Sequence, residues 1–278
     1  MVDAASEGPS DPIGVVLFDY AAKELRRALA CLAWRGSRFH EGVHQARKSL
    51  RRCRATLALG APELGAHAVP IDRRLRRVNR SLSTLRDVHA LVETFDRLIR
   101  RHRSPATHRL LQRARRAALR LRARVAREEL HADADFSGRR DRLDAIAIDL
   151  ERLPWQSVHT GHVRKAIQRS VSLAAGAATR ALERGSDDDW HRWRRRVRRL
   201  SQQHRALRDS AELRHEAESD IKALATALGE VQDYFLLKEH CGKDSPFSEF
   251  DRQALAALAA RGLRRKRRHA ASHPITVA

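Results

Sequence analysis

Apolar residues recur along most of this chain at the three- and four-residue spacing that gathers them on one side of an α-helix. The pattern is helical from Ile13 to about Trp34. In FHEGVHQARKSLRRCRATL, which starts at Phe39, residues Val43, Ala46, Leu50, Cys53 and Leu57 form a single stripe. GAPELGAHAVP then interrupts the chain at Gly60, Pro62 and Pro70, and the next helix is expected from about Ile71. Ile71, Leu75, Val78, Leu82, Leu85 and Val92 keep heptad-like spacing, which predicts one long core-packing helix flanked by Arg73, Arg76, Arg77 and Arg80. Past Pro105 a helix sets Leu110, Ala114, Ala117, Leu121 and Val125 opposite Arg109, Arg113, Arg116, Arg120, Arg124 and Arg127. That arginine stripe is either a wall of an anion site or a solvated face. A polar, turn-like HADADFSGRR leads into a helix that ends near Leu153, before Pro154.

The second half opens with a helix on which His162, Lys165 and Arg169 share a face. It passes through ERGSDDDW, where Asp187, Asp188 and Asp189 suit a helix N-terminus. A helix around Leu228 and an alanine-rich one from about Ser248 follow. No strand pattern intervenes, so the fold class expected is all-α. Residues 1–12, small, polar and with two prolines, read as a disordered lead.

The two halves repeat. DWHRWRRRVRRLSQQHRAL reproduces the stretch that starts at Phe39, with His191 standing 147 residues after His44 (191 − 44). Trp190, Trp193, Val197 and Leu200 take the places of the first apolar stripe. Beside that stripe His44, Arg47, Lys48 and Arg51 fall at i, i+3, i+4 and i+7 and share one arc, as do His191, Arg194, Arg195 and Arg198. Four cationic or chargeable groups on about 10 Å of helix repel one another, and an external polyanion relieves that repulsion. A genome rich in arginine codons accounts for solvated arginines in general. It does not account for one histidine kept at the same place in both basic arcs.

The formal net charge of +22 and a pI near 11.4 also point to an anionic partner. Aromatic residues make up only 5% of the chain, poor provision for the stacking platforms of single-stranded nucleic-acid binders, so phosphate alone fits better than bases. Cys31, Cys53 and Cys241 are odd in number and lack C-x-x-C spacing, which argues against a disulfide framework or a zinc cluster and makes a reducing cytoplasm the default. With no long apolar run and no signal-peptide pattern, the protein is expected to be soluble, unexported and without a membrane partner.

The duplicated H-x-x-R/K-R/K-x-x-R/K helix resembles the CHAD family, named for its conserved histidines in an α-helical domain. LSTLRDVHAL, from Leu82, looks like the family's second signature and LGEVQDYFLL, from Leu228, like its duplicate; Asp233 follows Asp87 by 146 residues (233 − 87). The resemblance covers roughly residues 13–269. It implies two tandem, pseudo-symmetric four-helix halves, about 13–154 and 155–269, followed by a tail over 270–278. Their facing basic surfaces are expected to bind inorganic polyphosphate, with no cofactor and no catalysis, and with possible targeting to polyphosphate granules. The residues expected at the site are His44, Arg47, Lys48, Arg51, Arg54, Arg116, Arg120, Lys165, Arg169, His191, Arg194, Arg195 and Arg198. Asp87 and Asp233 are expected to be buried, ionised partners that orient arginine or histidine. The cluster of Lys23, Arg26 and Arg27 belongs to the site or to a surface face. The second copy departs at Gln232, where the first has Arg86, and at Ser201, where the first has Arg54.

Two other functions compete. A nucleic-acid binder also uses arginine-rich helices, and it predicts an exposed ridge rather than a concave convergence. His40, Glu41 and His44 spell H-E-x-x-H, the helical zinc-protease motif. Against that reading, Gly42 lies inside the motif, Arg47 and Lys48 repel a dication, and Glu63 as a third ligand falls in the Gly/Pro break. The duplicate also carries Asp187 and Asp188 in place of His40 and Glu41. Glu216 and Glu218 begin an E-x-E-x-K string of the kind found in triphosphatase domains, but Asp220 stands where the lysine is required. The chain therefore reads as a binding module alone.

Overall fold

The computed structural model describes residues 13–211 and 218–273; the predicted lead over 1–12, Glu216 and the end of the tail lie outside them. The described residues form ten α-helices: α1 (Ile13–Leu32), α2 (Phe39–Leu57), α3 (Ala61–Ser81), α4 (Ser83–Arg101), α5 (Pro105–Ala132), α6 (Ser137–Glu151), α7 (Thr160–Arg184), α8 (Asp187–Ala211), α9 (Glu218–Glu239) and α10 (Glu249–Ala271). The all-α class is as the periodicity predicts. Every member of the α2 stripe and its α8 counterpart is buried, because a helix in water is stabilised chiefly by covering such a face.

Two boundaries differ from expectation. α3 starts at Ala61 rather than near Ile71, since Pro62 fits a first helical turn and only Gly65, at φ 55°, kinks the chain before it resumes. The single long helix expected from Ile71 through Val92 is instead broken at Leu82. On either side, Ser81 and Ser83 turn their hydroxyls back to the carbonyls of Val78 and Arg80, a local bond that competes with the helical one.

Among the described residues six helices precede Pro154 and four follow it. Nor does the interior divide at Pro154. One apolar core joins α1, α2, α3 and α6. The other joins the second part of α4 with α9 and α10, while α5, α7 and α8 run through both. α2 packs on α8, α8 on α9, α9 on α4 and α4 on α2, so the four helices that carry the repeated signatures form a ring between the two cores.

The α1–α2 contact is close. Arg52 and Glu24 form a 2.7 Å ion pair buried within it, and a Cβ on Gly42 would stand 2.4 Å from the Cys31 carbonyl oxygen. The glycine inside H-E-x-x-H is therefore a packing requirement. We expect Gly42→Ala to destabilise the fold by about 1–3 kcal/mol, as overpacking does, measured by urea unfolding.

Candidate functional site

The ring of α2, α4, α8 and α9 turns the basic arcs of both repeats toward one another. Arg47 and Arg51 come from α2, Arg86 and Asp87 from α4, Arg194 and Arg198 from α8, and Asp233 from α9. Their charges act on one another. The Arg51 guanidinium is held well below its ordinary pKa by burial and then by Arg198, Arg47, Arg194 and Arg86. Arg194 is held well below its own by burial and by Arg198, against the pull of Asp233 and Asp87. Burial, Arg86 and Arg47 lower Arg198 to about 10, and burial lowers Arg47 to about 10. All five arginines remain partly open to solvent. Crowded by protein yet wetted, these groups lie along an open groove between the four helices rather than in a sealed core.

Few carboxylates answer this charge. Arg86 donates to Glu93 at 2.7 Å and Arg97 to Asp233 at 2.6 Å. Arg47 donates to the Asn79 carbonyl, and Asn79 returns a bond to the Arg47 carbonyl, which fixes α3 against α2. Among the described residues no carboxylate stands at ion-pair distance from Arg51, Arg194 or Arg198, and the Nε atoms of Arg47 and Arg194 are buried without a partner. Donors left unsatisfied in a low-dielectric groove are costly, and phosphate oxygens are their natural acceptors.

The two repeated histidines flank this cluster. His44 is pushed down to about 4 by burial and by Arg86, against Glu93 and Glu41. His191 is lowered too, by burial first, against its 2.8 Å hydrogen bond from Nδ1 to Gln232 Oε1. Arg86 and Gln232, which occupy the same place in the two copies of the second signature, thus each stand beside the histidine of their own half. His40 stacks on His89 at 5.4 Å, Arg122 reaches His89 at 3.3 Å, and His40 falls to about 4 through burial, Arg122 and His89.

The expected site residues separate. His44, Arg47, Arg51, His191, Arg194 and Arg198 converge. Arg54 does not join them, because Asp72 of α3 holds its guanidinium in a two-pronged bond of 2.7 and 3.0 Å. The charges that act on Lys48 are first Arg52, Arg205 and Arg27 and only then Arg51 of the cluster, and Arg195 is exposed beside Arg192, Arg76 and Arg196. Arg116 and Arg120 are exposed on the outer face of α5. The inward residues of that helix are Arg115, paired with Asp96 at 2.5 Å, and Arg122. Lys165 and Arg169 are exposed on α7, as are Lys23, Arg26 and Arg27 on α1. Asp233 orients Arg97. Asp87 differs from expectation: it is exposed and accepts no hydrogen bond from the described residues, although surrounding protein raises its pKa against the opposing charges of Arg47 and Arg86.

Sequence reasoning missed His89, Glu93, Arg97 and Arg122. A signal existed for the first two, since Arg86, His89 and Glu93 follow one another at i, i+3 and i+7 on one helical face. The zinc-protease arrangement does not form. Glu63 is bound to His162 at 2.9 Å, and no group of three or more His, Cys, Asp or Glu among the described residues is placed to hold a metal ion.

Fold and site together define an all-helical protein with a basic groove built from two copies of one helix motif. The family model of the CHAD domain matches residues 19–242, and the chain belongs to that family. Among solved structures it is similar to PptA from Streptomyces chartreusis, with a TM-score of 0.66 and 18% identity over 93% of this chain and 97% of that one. It is also similar to the CHAD domain from the plant Ricinus communis, with a TM-score of 0.59 and 18% identity over 99% of this chain and 92% of that one. No curated protein matches the chain in sequence. No helix among the described residues is long and apolar enough to cross a membrane.

Proposed function

We propose that this protein binds inorganic polyphosphate in the groove between α2, α4, α8 and α9, through Arg47, Arg51, Arg194 and Arg198 with His44 and His191 as further phosphate contacts. The observation that carries the reading is the convergence of Arg51, Arg194 and Arg198 from both repeats with no carboxylate at ion-pair distance among the described residues. Membership of the CHAD family supports it. A linear anion with one charge per short repeat satisfies such a groove without presenting bases. The aromatic rings nearest the α8 arc, Trp190 and Trp193, are buried in the core and offer no stacking face. The activity proposed is retention of polyphosphate, in the cytoplasm or on its granules, with no turnover of polyphosphate or peptide.

One observation favours a second reading: Arg116, Arg120 and Arg124 form an exposed ridge on α5 of the kind that suits duplex phosphates. A competition titration of polyphosphate against duplex DNA at fixed salt tests both. Polyphosphate is expected to displace DNA, and Arg116→Ala with Arg120→Ala to leave polyphosphate affinity within a few-fold. DNA that displaces polyphosphate equally well, with affinity that falls in the α5 variant, would overturn the groove. Arg54→Ala is expected to change polyphosphate affinity less than about fivefold, because Asp72 already neutralises that guanidinium and a removed phosphate contact is worth more.

A further inference from the structure

α10 carries a second set of basic residues that the groove does not use. Arg261, Arg264, Arg265 and Arg268 fall at i, i+3, i+4 and i+7, on one face of the helix. They line a cleft of about 500 Å³ together with Leu258 and Gly262 of the same helix, Tyr234 of α9, His102 at the end of α4 and Thr107 in the first turn of α5. The same helix neutralises its other basic residues. Lys266 is bonded to Glu230 at 2.6 Å and Arg267 to Asp187. At the cleft face the treatment is different. Among the described residues no Asp or Glu lines the cleft, the first turn of α5 contributes none, and no carboxylate stands within ion-pair distance of the four arginines. Arg265 only reaches the Tyr234 hydroxyl, at 3.4 Å.

The cleft has a built floor. Tyr234 is 4% exposed, and its ring lies so close to Gly262 that a Cβ there would come within 2.1 Å of Cε1. Glycine at 262 therefore lets α10 settle onto α9 and brings the arginine face to the cleft mouth. Leu258 completes an apolar base beneath a cationic rim, the composition of a pocket for a compact organic or inorganic anion. α10 lies beyond the residues that the family model matches.

From this arrangement we infer that the cleft between α4, α5, α9 and α10 is a second phosphoanion site, separate from the central groove, which takes a multiply charged phosphate group, either free as a short condensed phosphate or as the phosphate tail of a nucleotide. Four guanidiniums matched to adjacent phosphates favour two or more phosphate groups over one. The apolar base tolerates a nucleoside but supplies no ring face for a base, since Tyr234 is covered.

The test uses the full chain with Arg51→Ala and Arg198→Ala, so that the groove contributes little. Titration with tripolyphosphate, ATP and adenosine is followed by calorimetry at fixed salt. Tripolyphosphate and ATP are expected to bind and adenosine to stay silent. Equal affinity for the first two identifies free phosphate as sufficient, and tighter ATP identifies a nucleotide. Adding Thr107→Glu places a carboxylate in the lining at a helix start, where acidic residues do not harm folding, and is expected to weaken both ligands tenfold or more. Arg116→Ala with Arg120→Ala in the same background is the control for net charge and should weaken them less than threefold. Binding that Thr107→Glu leaves unchanged, losses equal to those of the control, or adenosine binding as well as ATP would each overturn the site. None of these outcomes bears on the groove, which is already disabled in the parent.

Discussion

Polyphosphate affinity is expected to fall at least a hundredfold when Arg51 and Arg198 are both replaced by alanine. The two side chains come from α2 and α8, stand close enough for one charge to act on the other, and have no carboxylate at ion-pair distance among the described residues. Hydrogen bonds to charged groups contribute about 1.5–3 kcal/mol each, so the loss of two amounts to roughly 3–6 kcal/mol of binding. The salt dependence should change with it. If each guanidinium releases counterions as it does on a single-stranded polyanion, the slope of log affinity against log salt becomes shallower by about 1.4. The double variant should also be no less stable than the parent in the absence of ligand, because like charges crowded in a groove repel one another. That combination separates a lost contact from a damaged fold. Full affinity with an unchanged slope would remove the α2 and α8 arcs from the site, and the same measurement with Arg47→Ala and Arg194→Ala covers the other half of the cluster.

The second large effect is acid lability of the unliganded protein. His40 and His44 are each lowered to about 4 in the folded state, by burial first and then by Arg122 and Arg86 respectively. Unfolded histidine titrates near 6.5. Below that value the unfolded chain takes up protons that the folded chain refuses, so stability is fully present above pH 6.5 and is lost progressively until about pH 4. Each residue is expected to remove on the order of 2 kcal/mol between pH 7 and 5. His89 and His191 shift in the same direction and add to the loss. Asp87 and Asp233 oppose it, because desolvation by the surrounding protein raises their folded pKa and they bind protons more readily when folded. Urea unfolding at pH 7 and pH 5 should therefore differ by about 3–4 kcal/mol for the wild type and far less for His40→Gln with His44→Gln.

Polyphosphate should reverse part of this dependence, since a phosphate beside His44 or His191 favours imidazolium. Affinity is then expected to rise as pH falls from about 8 toward 6, with proton uptake visible as a buffer-dependent heat. Equal proton uptake by wild type and by His44→Gln with His191→Gln would make these histidines packing residues.

Much of the fold was determined by the sequence on its own, because the apolar residues of each helix sit at its own periodicity. Val43, Ala46, Leu50, Cys53 and Leu57 are covered as a stripe must be, and the repeat of His44, Arg47 and Arg51 at His191, Arg194 and Arg198 marked both arcs before any packing was known. Periodicity assigns a residue to a face but does not say what stands across from it. Arg51 and Arg54 are neighbours on one helix, and only the approach of α3 gives Arg54 to Asp72 while α8 brings Arg198 to Arg51. On α5 the regular stripe of Arg116 and Arg120 faces outward, and the less regular Arg115 and Arg122 face in, because a helix turns its polar flank to whichever neighbour the loops allow. Leu82 continues the heptad spacing yet ends α3, since serine hydroxyls on both sides bond to carbonyls of the preceding turn. Partners such as Asp233 for Arg97, 136 residues apart, meet only when the chain is folded. The sequence thus determined which residues are cationic and on which arc of which helix they lie. The tertiary structure alone decided which of those charges are neutralised by a carboxylate from elsewhere in the chain and which are left facing one another across the groove.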